Sequence, residues 1–245
     1  MIVLIMAGGL GKRMNSQLPK VLHELDGKPM IYYVINQALK LNAEKIIIIV
    51  GKYKAIISET INNFFPNNNF VYIIQNQPLG TGNAIQSTID YLQSNFSSKT
   101  KNVLILSGDV PLISNETLTN LLLTPDTILV AKLDNPDGCG RIIFSNDTLE
   151  NVFKIIEHKD CSPDQLTINI TNCGIYNMKL STLVDTIPFI TNNNAANEYY
   201  LTDMIEIANK KNIYINSYLL SENKNYEIAN INTKEDLEKL KNSIL

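Results

Sequence analysis

Metal-ligating and redox chemistry have little to work with in this chain. Three cysteines and two histidines occur among 245 residues. Cys139, Cys161 and Cys173 are odd in number and show no C-x-x-C spacing. That argues against a disulfide framework or a zinc site and for a reducing compartment, the cytoplasm. His23 and His158 stand apart, so a histidine-based metal cluster is not expected. Basic excess is also missing: the net charge is −3, which gives no electrostatic case for nucleic acid or an anionic membrane. The longest apolar run, Ile46 to Val50, is far too short to span a bilayer. No basic segment followed by an apolar one opens the chain, so Met1 to Met6 reads as a core strand and not as a signal. No internal repeat is visible, and hexapeptide repeats of the β-helix type are absent before Leu245.

What is present describes an ordinary globule, 44% hydrophobic and 18% charged. Strand and helix patterns alternate through the first half: strands at Ile2–Met6, Lys45–Val50, Phe70–Gln75 and Val103–Leu106, helices near Pro29–Leu41, before Pro66, and over Asn83–Phe96. Ser114 is placed to cap the next helix, with Glu116 in its first turn. Such alternation predicts an α/β fold with a mainly parallel sheet covered on both faces. The second half is less regular, with strands expected over Ile128–Leu133, Arg141–Ser145, Val152–Glu157, Ile168–Met178 and Ile213–Leu219. Helices are expected over Leu180–Asp185, Ala195–Lys210 and Lys234–Ser243. One domain carrying a more antiparallel lobe is the simplest organisation.

The first strand runs into Ala7-Gly8-Gly9-Leu10-Gly11-Lys12-Arg13-Met14, and Pro19-Lys20 follows six residues later. Glycines let backbone N–H groups approach phosphate oxygens without Cβ interference. Arg13 and Lys20 add positive charge beside them, an arrangement suited to a nucleoside triphosphate. The dinucleotide fingerprint is excluded by its missing third glycine and by Gly51-Lys52 where an acidic residue should end the second strand. The Walker A spacing does not occur. A tight turn without a ligand would explain the glycines alone; the basic residues favour phosphate.

Asp109 follows the strand Val103–Leu106 at an expected carboxyl end of the sheet, where open α/β folds bind ligands. A carboxylate there is a natural Mg²⁺ ligand, since magnesium needs only one or two protein oxygens. A turn aspartate bonding its own backbone is the alternative. Gln75 ends the third strand, and Leu79-Gly80-Thr81-Gly82 opens a helix. The Gln amide has the donor and acceptor to pair with a base edge, though a rotated amide serves uracil or cytosine equally.

Leu-Gly-Thr-Gly-Asn-Ala (79–84), Gly-Asp-Val-Pro-Leu-Ile (108–113), Gly-Arg-Ile (140–142), Glu-His-Lys-Asp (157–160) and Glu-Tyr-Tyr-Leu-Thr-Asp (198–203) occur in that order. With the opening loop and Pro19-Lys20-Val21-Leu22-His23, they resemble the sugar-nucleotidyltransferases. Within these, they are similar to the uridylyltransferase domain of the bacterial N-acetylglucosamine-1-phosphate uridylyltransferases. The resemblance covers nearly the whole chain. It implies a Rossmann-like mixed sheet sandwiched by helices, with a nucleotide-binding half over about 1–112, a smaller sugar-binding half over about 113–232 and a closing helix at 233–245. It implies transfer of a uridylyl group from UTP to N-acetylglucosamine 1-phosphate with release of pyrophosphate. Other sugar phosphates, other nucleotides and a non-catalytic binding module are the alternatives.

Position by position, the resemblance assigns Arg13 and Lys20 to the triphosphate. Met6, Ala7, Gly8, Gly9, Gly11, Gln75, Gly80, Thr81, Ser107 and Gly108 would line the nucleotide. Gly140, Glu157, Asn172, Tyr200 and Thr202 would meet the amino sugar. Asp109 and Asn230, or Asn232 in place of the latter, would hold Mg²⁺. Substrates would be small molecules, with no nucleic acid or membrane partner and no indication of oligomeric state. The family's bifunctional members continue into an acetylating β-helix, an activity not expected here. Leu10, Cys139, Cys173 and Asn197 depart from the family's usual polar residue, aromatic residue, Thr and Gly.

Overall fold

The apolar run that opens the chain becomes an interior strand of a nine-stranded sheet. The computed structural model describes residues 1–9, 11, 14, 16–97, 100–145, 149–229, 231 and 236. Strand β1 (Ile2–Met6) leads to a small hairpin, β2 (Glu24–Leu25) and β3 (Lys28–Pro29), then helix α1 (Met30–Lys40), β4 (Lys45–Val50), α2 (Lys54–Phe64) and β5 (Val71–Ile74). Helices α3 (Thr81–Gln86) and α4 (Ile89–Asn95), strand β6 (Asn102–Ser107) and helix α5 (Asn115–Leu121) complete the first half. The second half comprises β7 (Thr127–Lys132), β8 (Arg141–Phe144), β9 (Val152–Ile156), α6 (Pro163–Leu166), β10 (Ile170–Lys179), α7 (Leu180–Thr186), α8 (Asp203–Lys210) and β11 (Asn216–Leu219).

The sheet order is β11-β7-β10-β6-β1-β4-β5, with β8 pairing β10 and β9. Strands β1, β4, β5 and β6 run parallel, while β10 is antiparallel to both β6 and β7. Alternate residues of the central strands feed two cores. Ile2, Leu4, Ile47, Ile49, Val103 and Ile105 face α3, α4, α7 and α8. Val3, Ile5, Ile46, Ile48, Leu104 and Leu106 face α1, α2 and α5. Each such side chain removed from water contributes about 1.5–3 kcal/mol, so a strand buried on both faces reads as a continuous apolar run.

Three local readings are corrected. The helix expected over Asn83–Phe96 breaks at Ser87 and Thr88, whose hydroxyls donate to the carbonyls of Ala84 (2.6 Å) and Ile85 (2.7 Å) and compete with the helical ladder. Pro29 precedes α1 in extended conformation, held by its pairing with Glu24. The hairpin itself turns through Asp26 and Gly27, both at positive φ. Residues 195–202 are not helical, because their backbone bonds across to another segment. Gly82 N donates to Tyr199 O (2.7 Å), and Tyr199 N to Leu79 O (2.8 Å). Asn197, where the resemblance leads one to expect Gly, sits at φ +54°, a conformation Asn tolerates better than most side chains. The expected closing helix has only Asp236 among the described residues.

Candidate active site

The chain leaves β1, builds β4 and β5 on one side, then crosses to β6 on the other. Loops diverge at that reversal, beyond the carboxyl ends of β1 and β6, and open a crevice. The crevice holds about 410 Å³ and is lined by Met6, Ala7, Gly8, Gly9, Lys20, Val21, Gln75, Pro78, Gly80, Thr81, Ala84, Ser107, Asp109 and Glu198. Of the residues assigned to the nucleotide, Gly11 and Gly108 are outside this lining. Gly108 ties the two central strands together through its N–H to Met6 O (2.9 Å). Gly11 has φ +58°, and a Cβ there would lie 2.8 Å from Lys20 Cβ. Glycine at that point lets the loop close against Lys20. Arg13 lies outside the described residues.

Lys20 Nζ pairs with Asp109 Oδ2, in side chains 13% and 14% exposed. Asp109 Oδ1 accepts from Ser107 Oγ (2.5 Å). The ammonium comes from a short 3₁₀ turn, Lys20–Leu22, whose Val21 and Leu22 are buried. The carboxylate comes from the end of β6. Each charge is thereby mounted on a packed element, and partial burial strengthens their mutual attraction. Ile231 N reaches Asp109 O (3.4 Å); its neighbour Asn230, and Asn232, lie outside the described residues.

Gln75 is buried at the end of β5. Its Nε2 donates to Gly80 O (3.0 Å) and Asn83 Oδ1 (3.0 Å), so both amide hydrogens are engaged. Its Oε1 faces Gly8, where a Cβ would come within 2.9 Å. The amide therefore presents an acceptor to the crevice wall. Gly80, at φ +117°, leaves no room for a side chain: a Cβ would sit 2.5 Å from Tyr199 O. Thr81 Oγ1 accepts from Leu201 N (3.0 Å). This turn is the seam where the 199–201 segment docks against the first half.

A second cavity of about 230 Å³ adjoins the first and shares Met6, Thr81 and Ser107 with it. Gly140, Glu157, Asn172 and Thr202 line it. Glu157 Oε1 accepts from Thr202 Oγ1 (2.9 Å). Burial pushes this carboxyl above its ordinary range, and Asp160 and Glu198 add to the push against the Thr202 bond. Asn172 is held at a bulge of β10, its Nδ2 donating to Tyr176 Oη (2.8 Å) and its Oδ1 accepting from Gly174 N (3.1 Å). Tyr200 is not part of this lining. Burial, with Asp160 and Glu157 nearby, raises its phenol to about 12.

Sequence reasoning passed over several lining residues. Glu198 belongs to the Glu-Tyr-Tyr-Leu-Thr-Asp motif and was open to notice there. Thr171 carries no local signal, while Cys139 and Cys173 stood out only as departures from the family's usual residues. Arg141 of Gly-Arg-Ile is not part of this lining. It is fully buried, its guanidinium donating to Pro136 O (2.7 Å) and to Cys139 O, and so shapes the turn that delivers Gly140.

Among the described residues no helix is long and apolar enough to cross a membrane, and no group of three or more His, Cys, Asp or Glu could hold a metal. A mimivirus protein named "Probable UDP-N-acetylglucosamine pyrophosphorylase" is 43% identical over 96% of this chain and 93% of its own length. The Bifunctional protein GlmU of Methylobacillus flagellatus is 36% identical over 96% of this chain but 49% of its own, so the chain spans about half of that relative. The crystal structure of UDP-glucose pyrophosphorylase complexed with UDP-glucose superposes with a TM-score of 0.77 at 16% identity, covering 99% of this chain and 97% of the other. The latter likeness is one of fold. The family model for the MobA-like NTP transferase domain matches residues 3–159, and with it the chain belongs to the MobA-like NTP transferase family.

Proposed function

We propose that this enzyme transfers the uridylyl group of UTP to N-acetylglucosamine 1-phosphate, forming UDP-N-acetylglucosamine and pyrophosphate in the cytoplasm. The observation that carries the reading is the junction of the two cavities at Met6, Thr81 and Ser107. It sets a polyphosphate crevice edge to edge with a polar, sugar-sized one. A sugar phosphate is largely dianionic near neutral pH, its second pKa being about 6 by analogy with phosphorylated side chains. The reaction therefore needs no general base. The obstacle is bringing two anions into line, and positioning with charge neutralisation supplies the rate.

Lys20 and Arg13 neutralise the triphosphate from the protein side. Ala7 N–H is spent on Ile49 O (2.8 Å), so Gly8 and Gly9 offer the backbone N–H groups to it. Gln75, with its amide hydrogens spent on Gly80 and Asn83, turns Oε1 to a base edge carrying a donor. The N3–H of uracil supplies one, and so does the exocyclic amino group of cytosine, so this contact alone does not choose between the two bases. On the acceptor side, Glu157 and Asn172 offer oxygen acceptors to sugar hydroxyls and an amide.

The donor set at Asp109 fits a magnesium ion. It is one partly buried carboxylate at the crevice edge, without the closed cage of ligands that a structural metal would demand. Asp109 and Asn230 would hold the ion, which when bound offsets charge on the reacting and leaving phosphate oxygens.

Pyrophosphate release settles the assignment. UTP, dTTP, CTP and ATP are crossed with N-acetylglucosamine, N-acetylgalactosamine and glucose 1-phosphates, with and without Mg²⁺. Release is expected with UTP and N-acetylglucosamine 1-phosphate; silence in every combination overturns the enzyme reading.

A further inference from the structure

We propose that Cys139 and Cys173 form a thiol pair in the wall of the acceptor cavity that closes into a cross-strand disulfide under oxidation. Strands β8 and β10 run antiparallel with Thr171 opposite Arg141. Asn172 N donates to Gly140 O at 2.9 Å, one of the two bonds of a hydrogen-bonded pair. Continued one step beyond that bond, the register would set Cys173 opposite Cys139 at a non-hydrogen-bonded position. Cα atoms at such positions lie about 4.5 Å apart in a regular ladder, inside the disulfide range of about 4.4–6.8 Å. Directly opposed residues share a face, and both cysteines line the same cavity as half-buried thiols. Cys161 lies elsewhere, its thiol against the carbonyls of Ile156 and Glu157.

The pair sits where the ladder ends. Cys139 closes the turn gripped by Arg141, and β10 bulges between Asn172 and Tyr176. A bond between the two sulfurs would tie the turn that delivers Gly140 to the bulge that holds Asn172, contracting the wall opposite Glu157. The nucleotide crevice has no cysteine in its lining.

The oxidant is a small-molecule disulfide. One protein thiol loses its proton and attacks a sulfur of that disulfide, expelling one thiolate and leaving a mixed disulfide. The second protein thiol, deprotonated in turn, displaces the remaining small thiol. Two protein thiols thus lose two protons and two electrons, and one external disulfide becomes two thiols. Burial pushes both protein thiols up, partly opposed at Cys139 by Arg141, so exchange quickens as the solution becomes alkaline.

The purified chain is incubated with oxidised glutathione at about pH 8.5, near the ordinary thiol pKa, then quenched with N-ethylmaleimide and mapped by mass spectrometry. Peptides containing Cys139 and Cys173 are expected to emerge joined, with Cys161 still alkylated, and dithiothreitol should separate them. Cys139→Ser and Cys173→Ser should each abolish the joined species, while Cys161→Ser retains it. Both thiols remaining alkylated, a stable glutathione adduct without an internal bond, or linkage through Cys161 would overturn the pair. The consequence for the acceptor rests on the proposed function: the oxidised enzyme should show a KM for the sugar phosphate raised roughly fivefold or more, with that for UTP within about twofold. A joined pair with both KM values unmoved would overturn the closure. Inactivity of the reduced enzyme would strike the functional reading instead, and the peptide map is independent of it.

Discussion

The two cavities that meet at Met6, Thr81 and Ser107 are walled by different kinds of backbone. On the nucleotide side, Met6–Gly9, Gln75 and Ser107–Asp109 each follow directly from a strand of the parallel core. Their Cα positions are set by ladders buried on both faces, with Ile49, Met6 and Ser107 in register. On the acceptor side, Gly140, Asn172 and Thr202 come from a turn, a bulge and a coil stitched to the 79–82 turn. In the proposed reaction charge neutralisation, which demands fixed geometry, falls to the parallel half. Acceptor recognition would fall where backbone is irregular, which is where a family changes specificity without disturbing its core.

The largest expected effect tests the rigid side. Lys20→Ala should lower turnover by about 10²–10³, the typical loss of one preorganised stabilising group, with the thermal midpoint near that of the parent. Steady-state kinetics that show full activity would remove Lys20 from the triphosphate. Asp109→Asn should weaken the response of the rate to Mg²⁺ severely, as read from a titration of the metal. An unaltered titration would place the ion elsewhere.

Gly80→Ala strikes the seam between the halves. Its Cβ would meet Tyr199 O at 2.5 Å in a backbone conformation unfavourable to alanine. A loss of about 1–3 kcal/mol in urea unfolding is expected. A neutral result would mean that the 199–201 segment is not anchored there.

On the irregular side, Glu157→Gln should raise the sugar-phosphate KM roughly tenfold, one lost interaction of about 1.4 kcal/mol, and leave the UTP KM nearly unchanged. Equal rises in both would make Glu157 a structural residue. Because burial lifts the Glu157 carboxyl, the parent enzyme should lose acceptor affinity, on acidification, at a higher pH than an ordinary carboxylate dictates. Glu157→Gln should erase that limb.

The smallest effect concerns Asp203. Burial, with Glu157, Glu206 and Asp160 nearby, raises its pKa to about 6. Between about pH 4 and 6 the unfolded chain has released this proton while the folded chain keeps it, so folding stability falls as pH rises through that window. Below it both states are protonated and the penalty is absent; above it the penalty is fully present. Asp203→Asn should flatten the urea midpoint across that range, and an unchanged slope would mean that Asp203 is effectively solvated.

The rigid half was the more legible one. Ile2–Met6, Lys45–Val50 and Val103–Leu106 announce themselves as strands because burial on both faces leaves few residue types able to occupy them. The glycines, Lys20 and Asp109 then follow at strand ends by the geometry of parallel sheets. Residues 195–202 read as helix, since local propensity cannot register a carbonyl 120 residues away. Their backbone groups are satisfied by Leu79, Thr81 and Gly82 instead. At Thr88 the competition is local instead: its buried hydroxyl takes the carbonyl of Ile85, three residues back.

Local pattern, then, was enough to define the α/β class, the central strands and which side chains gather after β1 and β6. Those depend on periodicity and on turn-permissive residues, which are written into neighbouring positions. Which atom of Gln75 faces Gly8, how Glu157 meets Thr202, and that Cys139 and Cys173 line one cavity emerged only on folding. Each depends on strand register and on long-range partners, and a linear reading contains neither distance nor direction between segments far apart in the chain.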